Sequence, residues 1–490
     1  MDGDRDYESW SKEALIARLR SLEDRRLESS GPRNHHQARS EGFEFERFPR
    51  RKVALKFSYF GWAYHGLARQ GGTLESDSKR QIEAQYPTVE GELFRALAQC
   101  KLIASEADCD YSRCGRTDRG VSSFGQVVAL YVRSLGRFVG EDEAAGLARE
   151  QGARLVRDEA NGGRPVLLPE AERELPYANM LNKHLPPEIR VLAWSPVRAD
   201  FSARFSCKSR FYRYFFSQEG LDIAAMQDAA RRYLGTHDFR NFCRLDPAKQ
   251  IQNFERTVLA VAISPVPAQV PLVADAASPA GRWWQLELRG TAFLWHQVRC
   301  MMAVLFAVGQ GLEDPDIVDR MMDVAAMAGK PEYEMACDTP LVLADCAFDA
   351  ADVQWRYVRA PGHDAANMAQ LDRAVSQLWG QLNTQAVISS ALLQALRDTR
   401  IPAPTGPGAP LEPWADCRAR LAQQPGPAAP ILGGGLVRSA RKYVPIAQRR
   451  RADPVELRNQ AWLARKGAAA GGRKRSRDES DGRDPEPAAD

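Results

Sequence analysis

Strand-period segments alternate with single helical stretches along the middle of this chain, which confines it to a mixed α and β architecture. VALKFSYF at 53–60 sets Val53, Leu55, Phe57 and Tyr59 against Ala54, Lys56 and Ser58, the two-residue period of a strand with one buried face. TVEGELFRALAQC at 88–100 then turns to helical spacing, with Thr88 as N-cap and Val89, Leu93 and Leu97 as one apolar stripe. Further strands are predicted over 127–132, 190–194, 205–217, 253–264 and 282–290, and helices over 177–184 and the apolar run 293–311, closed by Gly309. The core these elements build runs from about 50 to 358.

Around that core the texture changes. Leu15, Leu19 and Leu22 mark a short amphipathic helix before a polar linker, so 1–48 reads as a separate N-terminal segment. A charged, Gly-containing stretch at 136–175 reads as an insertion or a long surface loop. Residues 364–400 are helical in pattern, Pro/Gly linkers follow near 403–413 and 423–435, and 359–435 forms a helical extension. The segment 436–490 reads as a basic, mostly disordered tail. Nine Lys/Arg against two Asp/Glu over 436–467, then RKRSR at 473–477, make phosphate-rich partners plausible even though the whole chain carries only +4.

Composition excludes several classes. With 490 residues and 44% hydrophobic content there is apolar surface for real cores. No run of about 18 apolar residues suggests a membrane span, and the acidic start MDGDRDYESWSKE fits neither a signal nor a transit peptide, so the expected location is nucleus, cytoplasm or both. The nine cysteines stand singly, with no CxxC pair and no matching histidine cluster, so they read as reduced packing thiols and no metal is expected.

The chemistry centres on RCGRTDRGVSSFGQVVAL, beginning at Arg113. Gly115 and Gly120 permit a tight loop, and a neighbouring guanidinium would favour the charged form of Asp118. An ionised carboxylate there could be a nucleophile, a base, a metal ligand or a structural turn residue. Metal ligation is disfavoured because no second carboxylate or imidazole follows at a useful spacing. In CKSRFYRYF, strand alternation puts Lys208, Arg210, Tyr212 and Tyr214 on one face, a basic and aromatic surface of the kind RNA requires. Arg299 lies in an apolar helical run and needs an anion. His237, His65 and His296 read as structural or RNA-contacting groups.

These segments together resemble the TruA-type tRNA pseudouridine synthases, whose signature loop reads G-R-T-D-x-G-V. SYFGWAYHGLARQ (58–70), TVEGELFRAL (88–97), DFSARFSCKSRFYRY (200–214) and GTAFLWHQVRCMMAVLFAVGQG (290–311) follow the family order over about 300 residues. The resemblance implies an α+β fold of two pseudo-repeated halves, 49–200 and 201–358, whose antiparallel sheets join into one extended sheet flanked by helices. It implies Asp118 as catalytic carboxylate, Tyr212 as the tyrosine stacking on a flipped uracil, and Arg299 as the anion-seeking arginine paired with Asp118. Arg116 would hold the target nucleotide out of the stack, and Leu341 would pack against the base. Lys208, Arg210 and Tyr214 complete the RNA face, while Arg119 offers only general phosphate attraction.

The implied reaction isomerises uridine in tRNA without cofactor or metal. Asp118 could add to C1′, act as a base in forming a glycal, or add to C6. GTHDFRNFCRLD (235–246) and the 292–311 run resemble the eukaryotic branch that modifies positions 38 and 39 of the anticodon stem-loop. Family members are commonly dimers, so a homodimer is implied. Two other readings remain: the same chemistry at other RNA positions, and a catalytically silent tRNA-binding or folding protein. A small-molecule hydrolase would lack a reason for the basic, aromatic strand.

Overall fold

The computed structural model describes residues 43–69, 85–147, 154–267, 283–356, 364–402, 411–414, 416, 430–437 and 443–478. In chain order the first half contains β1 (Arg50–Tyr59), α1 (Val89–Gln99), β2 (Ser112–Arg113), β3 (Ser122–Arg133), β4 (Arg137–Phe138), α2 (Glu141–Leu147), β5 (Leu155–Val156), β6 (Val166–Leu167), α3 (Tyr177–Asn182) and β7 (Ile189–Pro196). The second contains β8 (Ser209–Ser217), α4 (Ile223–Arg231), β9 (Gly235–Asp238), β10 (Glu255–Pro265), β11 (Trp283–Gly290), α5 (Gln297–Gly309), α6 (Ile317–Met322) and β12 (Leu341–Ala347). Beyond them lie α7 (Asp364–Asp398), β13 (Arg400–Pro402), β14 (Leu411–Pro413), β15 (Ile431–Gly433), β16 (Leu436–Val437) and α8 (Val455–Asp478).

Among the described residues nine strands form one sheet in the order β7-β1-β3-β12-β8-β11-β10-β9, with β2 on β3. Every pairing is antiparallel except β12 with β3, where Val342 lies opposite Ser122 and Leu343 opposite Ser123. The late strand β12 therefore joins the halves, and a single mixed sheet flanked by helices results, the expected α+β class.

Alternation along β1 decides the layers. Val53, Leu55 and Phe57 bury against α1 and α3 through Leu93, Leu97 and Leu181, whereas Ala54 joins Val127, Ala129 and Leu343 in a smaller cluster. Thr88 caps α1 by accepting the Gly91 N–H at 3.2 Å, a contact worth about 1 kcal/mol. In the second half α4 and α5 cover Tyr214, Phe216, Leu286 and Leu288. Helix α5 is buried nearly all round, as its unbroken apolar sequence predicts.

Three peripheral segments differ from the sequence reading. The 136–175 insertion carries a three-stranded sheet, β4-β6-β5. Its end is tied to the core by Glu174, which accepts from Arg51 Nη1 at 3.1 Å, Ser134 Oγ at 2.6 Å and the Leu135 and Leu175 N–H groups at 2.8 and 2.9 Å. Part of the expected 423–435 linker is strand β15, whose Leu432 carbonyl accepts from the Cys337 N–H at 2.6 Å. In the expected tail, Ile446 and Val455 enter the core, the Tyr443 hydroxyl and the Ile446 N–H donate to Glu313, Arg451 bridges to Pro331, and α8 extends over 455–478, contacts that a composition read only as charged does not reveal. The Leu15, Leu19 and Leu22 helix lies outside the described residues.

Candidate active site

The loop carrying Asp118 leaves β2 and returns as β3, and its backbone is held from both sides. The Cys114 N–H donates to Val127 O at 2.8 Å, and the buried amide of Gln126 donates to Gly115 O at 3.0 Å. The Thr117 and Tyr59 hydroxyls share a hydrogen bond of 2.7 Å, Leu67 N–H donates to Thr117 O at 3.2 Å, and Gly120 N–H donates to Tyr64 O at 3.3 Å. Gly120 sits at φ +78°, and a Cβ there would stand 2.9 Å from the Asp338 carboxylate. The glycine thus serves both a left-handed turn and a close approach.

Asp118, its side chain a quarter exposed, receives the Trp295 Nε1–H on Oδ1 at 3.2 Å, and His296 Nε2 lies 3.4 Å from Oδ2. Both partners come from the approach to α5. His296 adopts φ +61° as the residue before that helix, a left-handed conformation uncommon for anything but glycine, and this bend points consecutive side chains at one carboxylate. Gln297 fixes the bend by accepting the Leu294 N–H at 2.7 Å through its own side chain. Arg244 and Lys249 stand over the Trp295 ring, each 4.9 Å from its centroid, which keeps the rim cationic.

Arg299 does not pair with Asp118 as expected. Its Nε donates to Ala336 O at 2.8 Å, and its Nη2 lies 3.6 Å from Asp338 Oδ2. The reason is one of helical position: Trp295 and His296 occupy the approach to the loop, and Arg299, a turn further along, faces the 336–338 segment. Since Asp338 also rests against Gly120, Arg299 and the Asp118 loop are joined through a second carboxylate.

Tyr212 is partly buried, its ring edge-on to Phe293 at 5.1 Å, and lies opposite Leu288 and Leu343 in the sheet. Burial raises its phenol pKa well above the ordinary value, and the negative charge of Asp118 adds to the rise. Lys208, Arg116 and Arg119 are exposed. Arg210 is not a free cation: its guanidinium donates to the carbonyls of Thr291 (2.6 Å), Arg204 (2.9 Å), Cys114 (3.0 Å) and Cys207 (3.4 Å).

Tyr214 is fully buried rather than on an RNA face, its hydroxyl donating to Cys337 O at 2.9 Å and Leu432 O at 3.3 Å. Leu341, directly opposite it, is also core. Alternation puts Tyr214 on one face with Lys208, Arg210 and Tyr212 but carries no information on where α5 and β15 begin to cover that face, and Leu341 is placed at the base only by the family resemblance. Sequence reasoning also missed Asp338, Trp295 and His296 as neighbours of the loop. Only the quoted WH dipeptide before the helix carried any signal for them. Cys114, Cys207 and Cys346, read as isolated thiols, converge with their sulfurs within 4.8 Å of one another.

An aspartate on a doubly tethered loop, with an indole and an imidazole on its two oxygens and exposed cations on the same loop, is a catalytic carboxylate site suited to a substrate that carries negative charge. The tRNA pseudouridine synthase family model matches residues 229–349. A protein of Homo sapiens named tRNA pseudouridine(38/39) synthase is 37% identical over 475 residues, 92% of this chain and 88% of its own. One of the same name from Saccharomyces cerevisiae is 39% identical over 372 residues, 71% and 73% of the two chains. A tRNA pseudouridine synthase A of Methanosarcina mazei is 31% identical over 273 residues, 56% and 76%. This chain belongs to the tRNA pseudouridine synthase family, isomerases that convert uridine to pseudouridine in tRNA.

Proposed function

We propose that this protein forms pseudouridine at positions 38 and 39 of the tRNA anticodon stem-loop, with Asp118 acting on a nucleotide flipped out of the stack. The observation that carries the reading is the Asp118 carboxylate, partly open to solvent, with Trp295 and His296 each facing one of its oxygens. Support for the positions comes from the relatives that share most of this chain's length and bear the 38/39 name.

In the reaction the N1–C1′ bond breaks, the uracil turns, and a C5–C1′ bond forms. C5 then loses its proton and N1 gains one, so atoms balance with no oxidant. Asp118 enters by adding to C1′, by taking a proton from the sugar, or by adding to C6. Tyr212 supplies a ring face and a hydroxyl, because burial keeps the phenol protonated. Arg299, steered by Ala336 and Asp338, stands ready to meet charge developing on the substrate. Arg116 and Lys208, both exposed, hold phosphate and the extruded nucleotide, offsetting a flipping cost of a few kcal/mol.

A homodimer belongs to the same reading. On α7 the apolar side chains of Ile388, Leu392 and Leu396, spaced four residues apart on one face, are 63%, 71% and 53% exposed, and a second copy of the chain would cover that face. Light scattering on the purified protein should return twice the chain mass.

The deciding experiment incubates wild type and Asp118→Ala with tRNA and maps pseudouridine. Wild type should modify 38, 39 or both and the variant neither. Product from the variant removes Asp118 from the chemistry, and wild-type product only elsewhere removes the assignment of position.

A further inference from the structure

Cys114 follows β2, Cys207 precedes β8 and Cys346 lies within β12, yet their three sulfurs fall within 4.8 Å of one another. The residues are 3%, 8% and 4% exposed, so the cluster is shielded from bulk solvent. Cys207 Sγ donates to Ser209 O at 3.3 Å. Packing alone would account for three small apolar residues meeting in one cluster. It does not require three sulfurs from three separate segments to point at a common centre.

A second feature surrounds them. The Arg210 guanidinium binds the backbone carbonyls of Cys114 and Cys207, fixing two of the three cysteines and placing a positive charge beside all three. Thiolates at metal distance, about 2.3 Å from an ion, are separated by about 3.8 to 4.0 Å, so closing around one asks for a contraction of about an ångström or less. Three thiolates carry three negative charges, which a metal cation and Arg210 together largely neutralise.

We propose that Cys114, Cys207 and Cys346 form a binding site for a soft, closed-shell metal ion, Zn2+ or Cu+, held by three sulfurs with Arg210 as outer support. As each metal–sulfur bond forms, that thiol's proton passes to solvent, and no electron is transferred. The ion fastens the loop that carries Asp118, four residues beyond Cys114, to the strand that carries Tyr212. Its role is to position the loop.

The test uses the full chain purified under reducing conditions. Elemental analysis measures zinc and copper separately; chelator-stripped protein is then titrated with Zn2+ against a chromophoric chelator, with Cu+ under anaerobic conditions, and with Cd2+ for its ultraviolet thiolate charge-transfer band. One equivalent of either ion, the Cd2+ band and a raised thermal midpoint are expected, with binding weakened at least about tenfold in Cys207→Ser and kept in Cys100→Ser. No uptake by the wild type, equal uptake by Cys207→Ser, or a disulfide between two of the three in place of metal would overturn the site. Because the wild-type measurement is decisive alone, a poorly folding variant leaves the outcome readable.

Discussion

The Trp295 indole donates its N–H to one oxygen of Asp118 at 3.2 Å, and the side chain of the very next residue, His296, lies 3.4 Å from the other. Adjacent side chains reach one carboxylate only because His296 takes a left-handed backbone conformation. The reactive group is thus oriented by α5 as well as by its own loop.

Trp295→Phe keeps the ring and removes the donor. Single-turnover pseudouridine formation should fall about tenfold, the loss of about 1.4 kcal/mol of transition-state stabilisation, with tRNA affinity unchanged. An unaltered rate would show that the indole N–H does not orient Asp118.

Arg299 and Asp338 should behave as one unit. Arg299→Lys keeps the charge but loses the Nε–H donated to Ala336, and Asp338→Ala releases the guanidinium; each should slow turnover about tenfold or more. The double variant should be little worse than the slower single, and strict multiplication of the two effects in single-turnover assays would contradict the coupling.

Tyr214→Phe separates a core role from an RNA role. The hydroxyl donated to Cys337 and Leu432 should cost about 1 to 2 kcal/mol of stability when removed, measured by urea unfolding, while tRNA binding stays the same. A variant as stable as wild type with weaker tRNA binding would reverse the assignment.

Glu174 is buried, and its oxygens accept from Arg51, Ser134 and two backbone amides. Glu174→Ala leaves the Arg51 charge buried without its partner and should destabilise by about 3 to 5 kcal/mol. Thermal or urea midpoints close to wild type would show that water replaces the carboxylate.

Lys208→Ala and Arg116→Ala should each flatten the slope of log affinity against log salt by about 0.7 to 0.9 if the side chain neutralises one phosphate. Phe205, 82% exposed in the turn before β8, should act differently: its alanine variant should lose about 1 to 3 kcal/mol of tRNA binding through lost base stacking and keep the slope. Filter binding at several salt concentrations distinguishes the two, and a Phe205→Ala variant of unchanged affinity would remove the stacking role.

The amino-acid sequence by itself determined the elements and the chemistry of the loop. Period-two alternation marked β1 and β8, the Thr88 cap and the Val89, Leu93 and Leu97 stripe placed α1, and the order of the motifs pointed to the tRNA pseudouridine synthase family to which the chain belongs. These signals are local, carried by backbone sterics and by which side chains share a face. What only the tertiary structure decided are contacts between residues far apart in the chain: Asp338 rather than Asp118 against Arg299, Trp295 and His296 on Asp118, Tyr214 under α5 and β15, and three scattered cysteines at one centre. Periodicity says which face a side chain occupies, and sheet order and helix position, set by how whole layers pack, say what that face meets.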